Sequence, residues 1–328
     1  MKKRGLGIGC MWYGIGNTGL PNPAGAVVDW LDDTSVNLMV GCADIGQGSS
    51  TVLAQIVAEE LGISSTDITV ISADTMITPD GGATSASRQT YISGNAARLA
   101  AIDAKKRPLE EAGMMLKEDP ANLVFKAGGV WANGQKTGIT IKDVLSNCRK
   151  KGKLTIGNGT FNPDTTGLDL KTGYGSPYAT YAFATQVIEV EVDTETGQVE
   201  ILKIVAAHDV GRAINPVLVE GQIQGGVSMG IGYALLEEVI SVRGQIKNTN
   251  LSDYLIPTIL DIPDVTSIII EDTEPTGPFG AKGVGEPALI PTAAAIANAV
   301  YNAIGVRIYS LPITPEKVLN ALAERDAE

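Results

Sequence analysis

The chain has 328 residues, 44% hydrophobic and 19% charged, enough apolar material for a packed core and too much for a disordered chain. Its net charge of -12, with one short basic run at Cys148–Lys153, argues against a nucleic-acid-binding face, and no apolar run reaches the length of a membrane span. Three scattered cysteines without a CxxC pair and a single histidine, His208, exclude a disulfide framework, an iron–sulfur cluster held by this chain alone and a histidine-rich metal site. They indicate a reducing, cytoplasmic setting.

In chain order, the start "MKKRGLGIGCMWYGIG" is basic and then glycine-broken, without the apolar core or cleavage site of a signal peptide. "GAVVDWL" and "SVNLMVGCA" read as two strands joined by the turn "DDTS". "SSTVLAQIVAEELG" carries an apolar stripe at Val52, Leu53, Ile56, Val57 and Leu61 and closes at Gly62, which predicts a helix. "DITVISAD" follows as a strand, and "SASRQTYISGNAARLAAIDAKKRPLEEAG" as a polar turn opening a long helix. "NLVFKAGGVWANG" suggests a hairpin and "TIKDVLSNCRKKG" a short helix. Residues 153–181 are turn-rich and suggest a connecting region. Beyond it, "AFATQVIEVEVDTETGQVEILKIVAAHDVG" predicts two strands about a tight turn. "VEGQIQGGVSMGIGYALLEEV" has helical spacing but many glycines, so a backbone or a ligand must approach it closely. "VTSIIIED" is a strand, and Thr292–Ile304 a helix. The pattern predicts an α+β fold of two αβ subdomains, 1–152 and 182–328, joined through 153–181.

Three glycine-rich segments carry candidate chemistry. In "ADIGQGSST", Gly46 and Gly48 flank Gln47, whose planar amide both donates and accepts, and Ser49 or Ser50 caps the following helix, where free N–H groups suit a phosphate. Taken alone, the same segment is an ordinary strand–helix turn. In "TPDGGATSASRQTYISGNA", hydroxyls, glycines and Arg88 precede a helix, which suits an anion cradle or a solvent-facing cap. In "GPFGAKGVGEPALIP", the carboxylate of Glu286 stands in a glycine-dense turn stiffened by Pro287 and Pro291. It is either a helix-capping acid or a functional base. No GxxxxGK[ST] phosphate loop and no dinucleotide fingerprint is present.

"DIGQGSSTVLAQIVAEELGI", "ATSASRQTYISGNA", "HDVGRAINPVLVEGQIQGGVSMGIGYALLEE", "GPFGAKGVGEPALIPTAAAIANAV" and "LPITPEKVLNAL" together resemble, in family order, the C-terminal molybdopterin-binding domain of the xanthine dehydrogenase/aldehyde oxidase family of molybdenum hydroxylases. The resemblance implies that Glu286 is the general base in hydroxylation of an electron-poor ring carbon, with water as oxygen source. It implies cofactor contacts at Gly46, Gln47, Gly48, Ser85, Ala86, Ser87, Arg88, Gln89 and Gly285, and a substrate pocket drawing on Tyr13, Asn17 and Thr18. The implied cofactor is molybdopterin cytosine dinucleotide, its molybdenum held by the pterin dithiolene and bearing a terminal sulfido or selenido ligand, with no direct protein ligand. Met229 stands where many relatives carry a cofactor-contacting glutamine.

The first molybdenum domain, FAD and 2Fe–2S clusters are then expected on partner subunits, because the chain starts at Met1 at a point that lies mid-chain in the fused enzymes. Within the family, similarity to nicotinate-oxidising members implies conversion of nicotinate to 6-hydroxynicotinate. Xanthine or another purine, an aldehyde and carbon monoxide are the alternatives. In a different class, the chain would be a non-catalytic nucleotide-binding or structural subunit. His208 reads as a structural, hydrogen-bonding histidine.

Overall fold

A computed structural model describes residues 1–327. In chain order its elements are β1 (Lys2–Gly14), β2 (Ala24–Trp30), β3 (Val36–Val40), α1 (Ser49–Leu61), β4 (Ile68–Ser72), α2 (Gly94–Leu116), β5 (Leu123–Lys126), β6 (Gly129–Ala132), β7 (Gln135–Thr140), α3 (Ile141–Lys150) and β8 (Ile156–Phe161). There follow β9 (Tyr181–Asp193), β10 (Val199–Asp209), α4 (Pro216–Leu235), β11 (Ser241–Val242), β12 (Gln245–Ile246), β13 (Val265–Ile270), α5 (Ile290–Ile304) and α6 (Pro315–Ala327). Contacts divide the chain into a central unit, Gly14–Thr180 with Thr273–Gly283, and a terminal unit, Met1–Tyr13 with Tyr181–Asp272 and the residues from Val284 onward. This division is discontinuous, whereas the sequence reading runs in consecutive segments.

The central unit is built on the sheet β4-β3-β2-β8. β2 pairs antiparallel with β3 and β8, while β3 and β4 are parallel and joined through α1, as a parallel connection requires. The long helix α2 lies against β8. A Cβ on Gly157 would stand 2.1 Å from the Ala104 nitrogen, and one on Gly159 2.1 Å from the Ala96 carbonyl oxygen. Glycines in the strand therefore face alanines in the helix, and the two backbones meet with no side chain between them. β8 falls inside the stretch read from sequence as a connecting loop; its spaced glycines mask the strand alternation. The hairpin expected at 122–134 is part of the meander β5-β6-β7.

The terminal unit has the sheet β1-β9-β10-β13. β9 and β10 are antiparallel, with a bulge between Ile201 and Lys203, and β10 runs parallel to β13. Its core joins Ile188 and Val190 of β9, Ile204 of β10, Ile223 of α4 and Ile296 and Val300 of α5. β1, which the sequence reading leaves as a glycine-broken start, places Gly5, Gly7 and Gly9 on one face at the strand period of two. A Cβ at these positions would lie 2.0–2.2 Å from the carbonyl oxygens of Ala299, Ala295 and Pro291. α5 thus rests directly on the strand, which draws the first thirteen residues into this unit.

Glu286–Ile304 is the one helical stretch among the described residues long and apolar enough to cross a membrane, but 56% of its most apolar window is buried in the protein, as expected of a core helix. The opposite situation holds in the segment after α4. Val239, Ile246, Leu251, Leu255, Ile259 and Leu260 are all exposed, the last two at 87% and 92%.

Candidate functional site

The loop after β3 turns sharply at Gly46 (φ 107°) and Gly48 (φ 80°), both in the left-handed region that glycine reaches without strain. The N–H groups of Ile45, Gly46, Gly48 and Ser50 are engaged internally. The Asp44 carboxylate accepts from the amides of Gly46 (3.0 Å), Gly48 (3.3 Å) and Ser50 (3.0 Å), so Asp44 serves the start of α1. The capping role expected of Ser49 or Ser50 falls instead to this acid, and a phosphate at that helix end would have to displace a carboxylate. Those amides hold the Asp44 pKa below the usual carboxylate range, against the opposing effect of its partial burial, the largest single influence on it. The Gln47 amide is likewise turned on its own loop: Oε1 accepts from the Ile45 amide (2.6 Å), and Nε2 donates to the Ala43 carbonyl and the Ser49 hydroxyl, each at 3.0 Å.

Thr84 ties this loop to the second candidate segment. Its hydroxyl oxygen accepts from the Ala43 amide (2.9 Å) and from Gln89 Nε2 (3.0 Å), while Gln89 Oε1 accepts from Ser93 (2.5 Å). Neither Asp44 nor Thr84 stands out by composition or spacing; an Asx residue ahead of a helix-opening glycine turn is the local signal for the first.

Arg88 lies beneath the same segment. It is 1% exposed, and its guanidinium donates to four main-chain carbonyls: Gly81 (2.5 Å) and Ala83 (3.0 Å) through Nη1, Asn22 (3.0 Å) and Pro23 (2.8 Å) through Nη2. Its Nε has no acceptor in the protein. Through its two terminal nitrogens Arg88 braces the loop from beneath. Above it, Ser85 is exposed and Ala86 and Ser87 are half-buried. Ala86 (φ 53°) and Ser87 (φ 51°) are both left-handed, followed by right-handed Arg88 (φ -82°). Such a run directs successive N–H groups to one side and suits an anion, and strain held at non-glycine residues accompanies binding sites. A π-turn over Gln89–Ser93, another feature common at functional sites, leads into α2.

The glycine-dense stretch begins in the central unit. Tyr91 and Thr276 share a hydroxyl–hydroxyl bond (2.7 Å), and Asn95 Nδ2 donates to the Thr276 carbonyl (2.8 Å). Arg98 stacks 4.3 Å above the Phe279 ring. Within the stretch Phe279 (φ 52°) and Gly280 (φ 90°) take a positive φ, and Gly280 is the one glycine that does. Gly277 and Gly283 serve close approach instead: Cβ atoms there would fall 2.2 Å from the Ala281 carbonyl oxygen and 1.8 Å from the Ser87 carbonyl oxygen.

In the terminal unit, Gly285 is exposed and Glu286 half-buried. Glu286 opens a short 3-10 turn, Glu286–Ala288, whose carbonyl accepts from the Leu289 amide at 3.1 Å. The cap position of α5 belongs to Leu289, which makes no side-chain bond, so Glu286 stands one turn ahead of the helix. Tyr13 ends the β1 contribution to this unit. Asn17 and Thr18 lie in the central unit, where the Asn17 amide donates to Asn22 Oδ1 (2.8 Å) and the Thr18 hydroxyl pairs with that of Tyr178. Met229 is exposed on α4. His208 is buried beside Gln186, in agreement with its structural reading, and burial pushes its pKa down to about 4.

A family model for the molybdopterin cofactor-binding domain matches residues 1–263. The chain is 36% identical over 327 residues to the xanthine dehydrogenase molybdenum-binding subunit of Escherichia coli, covering 96% of this chain and 42% of that one. It is 36% identical over 323 residues to the gamma subunit of the 6-hydroxypseudooxynicotine dehydrogenase complex of Paenarthrobacter nicotinovorans, covering 97% and 40%. Quinoline 2-oxidoreductase from Pseudomonas putida superposes with a TM-score of 0.87 at 31% identity, over 98% of this chain and 42% of that one. The chain belongs to the molybdopterin cofactor-binding domain family, in its molybdenum hydroxylase branch. It spans about two-fifths of the length of these relatives.

The residues present fit such a cofactor by main chain more than by side chain. The backbone run Ser85–Ser87 is exposed or half-exposed and conformed for an anion, whereas the two terminal nitrogens of Arg88 and the Ser50 amide of α1 are engaged within the protein.

Proposed function

We propose that this chain supplies the general base and part of the cofactor cradle of a molybdenum hydroxylase acting on an electron-poor heteroaromatic ring, with nicotinate to 6-hydroxynicotinate as the favoured reaction. The bound molybdenum cofactor would supply the two-electron acceptor and the site at which water-derived oxygen is activated. Glu286 would take the proton from the attacking hydroxyl, a task for which a carboxylate fixed on a short turn is suited. The main chain of Ser85, Ala86 and Ser87 would hold the anionic part of the cofactor, with Arg88 and Gln89 bracing that loop. Gly46, Gln47 and Gly48 would contact the cofactor through the exposed edge of their turn, and Gly285 would leave space beside the base. Tyr13, Asn17 and Thr18 are proposed for the substrate side.

The observation that carries the reading is the family match together with the position of Glu286, on a turn of its own ahead of α5 and not at the helix cap. Relatives named for quinoline and for 6-hydroxypseudooxynicotine favour a nitrogen-containing substrate. A purine substrate is the second reading, favoured by the xanthine dehydrogenase relative. Cytosine dinucleotide is the proposed cofactor form. The proposed partners are a larger molybdopterin chain carrying the first molybdenum domain, seated on the exposed apolar segment Val239–Leu260, and FAD and iron–sulfur subunits; the proposed setting is cytoplasmic.

The test is to purify the complex through this chain, measure molybdenum per chain, and follow oxygen from labelled water into product with nicotinate and with hypoxanthine. About one molybdenum per chain and labelled 6-hydroxynicotinate are expected. A complex without molybdenum sinks the reading, and labelled product from hypoxanthine alone selects the purine alternative.

A further inference from the structure

The inward face of β9 reads Ala182, Ala184, Gln186, Ile188, Val190, Val192, a buried apolar series interrupted by one amide. Gln186 is 0% exposed. A buried amide is costly unless its hydrogen bonds are made. Here they are made in a pattern that leads to the Glu286 turn. Nε2 donates to the Ala288 carbonyl at 2.8 Å and to His208 Nε2 at 3.2 Å, and Oε1 accepts from the Thr292 hydroxyl at 2.7 Å. Because a carbonyl only accepts, the amide nitrogen must face Ala288, which sets the orientation of the whole side chain. His208 Nε2 then accepts, and the ring proton resides on Nδ1, which is buried without a partner. Gln186, His208, Ala288 and Thr292 are all sealed from solvent.

From α4 the same turn is confined sterically. A Cβ on Gly226 would stand 2.5 Å from the Ala288 Cβ, and one on Gly230 2.4 Å from the Thr292 Cβ. Ala288 closes the 3-10 turn that Glu286 opens, and Thr292 lies in the first turn of α5.

We infer that Gln186, seated on neutral His208, is a positioning residue that fixes the height and direction of the Glu286 turn through the Ala288 carbonyl and Thr292. This rests on the reading of Glu286 as the general base. The amide acts on catalysis by confining the carboxylate, and a displacement of about 1 Å at a reacting group can cost on the order of 100-fold in rate.

The experiment compares Gln186→Met, Thr292→Val and Thr292→Ser in the complete purified complex. Three quantities are read: hydrogen exchange of the peptide spanning residues 284–292, melting temperature, and kcat and KM on whichever of nicotinate, hypoxanthine or benzaldehyde the wild type oxidises. In Gln186→Met, exchange in that peptide is expected to rise by about 10-fold or more while exchange elsewhere stays the same, since local opening is separable from global unfolding. kcat is expected to fall about 10- to 100-fold with KM within about threefold. Thr292→Val should shift both in the same direction, and Thr292→Ser, which keeps the hydroxyl, should restore them. Wild-type exchange in 284–292, or an increase spread evenly over the chain, overturns the inference. Should Gln186→Met fail to fold, the Thr292 pair decides: equal exchange in the Val and Ser variants overturns it. Glu286→Gln run in parallel separates the two claims, because full turnover there removes the base assignment while leaving the exchange result intact.

Discussion

Gly283 lies with its α-carbon against the carbonyl oxygen of Ser87, so close that a Cβ would stand 1.8 Å away. The part of the glycine-dense stretch that ends at Gly283 and the Ser85–Ser87 loop, both in the central unit, are thereby held together. Gly283→Ala must push one of two backbones aside. It is expected to destabilise by about 1–3 kcal/mol, as overpacking does, and to lower molybdenum content. Differential scanning calorimetry and metal analysis of the complex check both; a fully loaded variant with the wild-type melting temperature would show that the loops yield freely.

Arg88 should behave as a structural residue. Arg88→Met leaves four carbonyls without their donor, and the expected cost is about 3–5 kcal/mol, in the range for breaking a buried charged group's contacts. Arg88→Lys keeps the charge but loses the planar fork, and should fall between the two. Urea midpoints measure the series. A phosphate-binding arginine would instead leave stability unchanged and weaken cofactor retention.

For Glu286→Gln, loss of the base should lower kcat by about 10²–10⁴-fold, with cofactor content and melting temperature close to wild type. A change of about 1 kcal/mol in stability with intact kcat would return the residue to a helix-end role.

His208 predicts a pH dependence whose sign follows from burial. Its folded-state pKa of about 4 lies below the ordinary 6.5, so the unfolded chain binds the proton more readily. The neutral ring's contribution is complete above pH 6.5 and is lost as the pH falls toward 4. Between pH 7 and pH 4.5 the wild type should lose about 2–3 kcal/mol more than His208→Gln. Chemical denaturation at the two pH values gives the difference directly, and parallel losses would disprove the assignment.

The exposed apolar segment after α4 makes a separate prediction. Ile259→Glu with Leu260→Glu should change the stability of this chain by about 0.5 kcal/mol or less, because the side chains are in water. The same pair should weaken its association with the proposed larger molybdopterin chain, since charge in an interface core is disfavoured. Co-purification yield against mass-balanced input measures this. Undiminished assembly would place the partner elsewhere.

Local pattern determined most elements. The stripe from Val52 to Leu61, the alternation through β9 and β10 and the glycine-dense turn at Glu286 are each readable because they depend on neighbours within a few residues. The ordered set of motifs was also enough to identify the family. What local pattern left open was the purpose of groups whose partners are remote in sequence. Gly5, Gly7 and Gly9 look like breaks until α5, nearly 300 residues later, is laid across them. Arg88 looks like an anion ligand until the carbonyls of Gly81, Ala83, Asn22 and Pro23 close around its two terminal nitrogens, leaving Nε without an acceptor in the protein. Gln186 looks like an unremarkable polar residue in a strand until Ala288 and Thr292 arrive from about 100 residues away. Close backbone approach and satisfaction of buried polar groups are decided by atoms brought together only in the folded chain, and no window of sequence contains them.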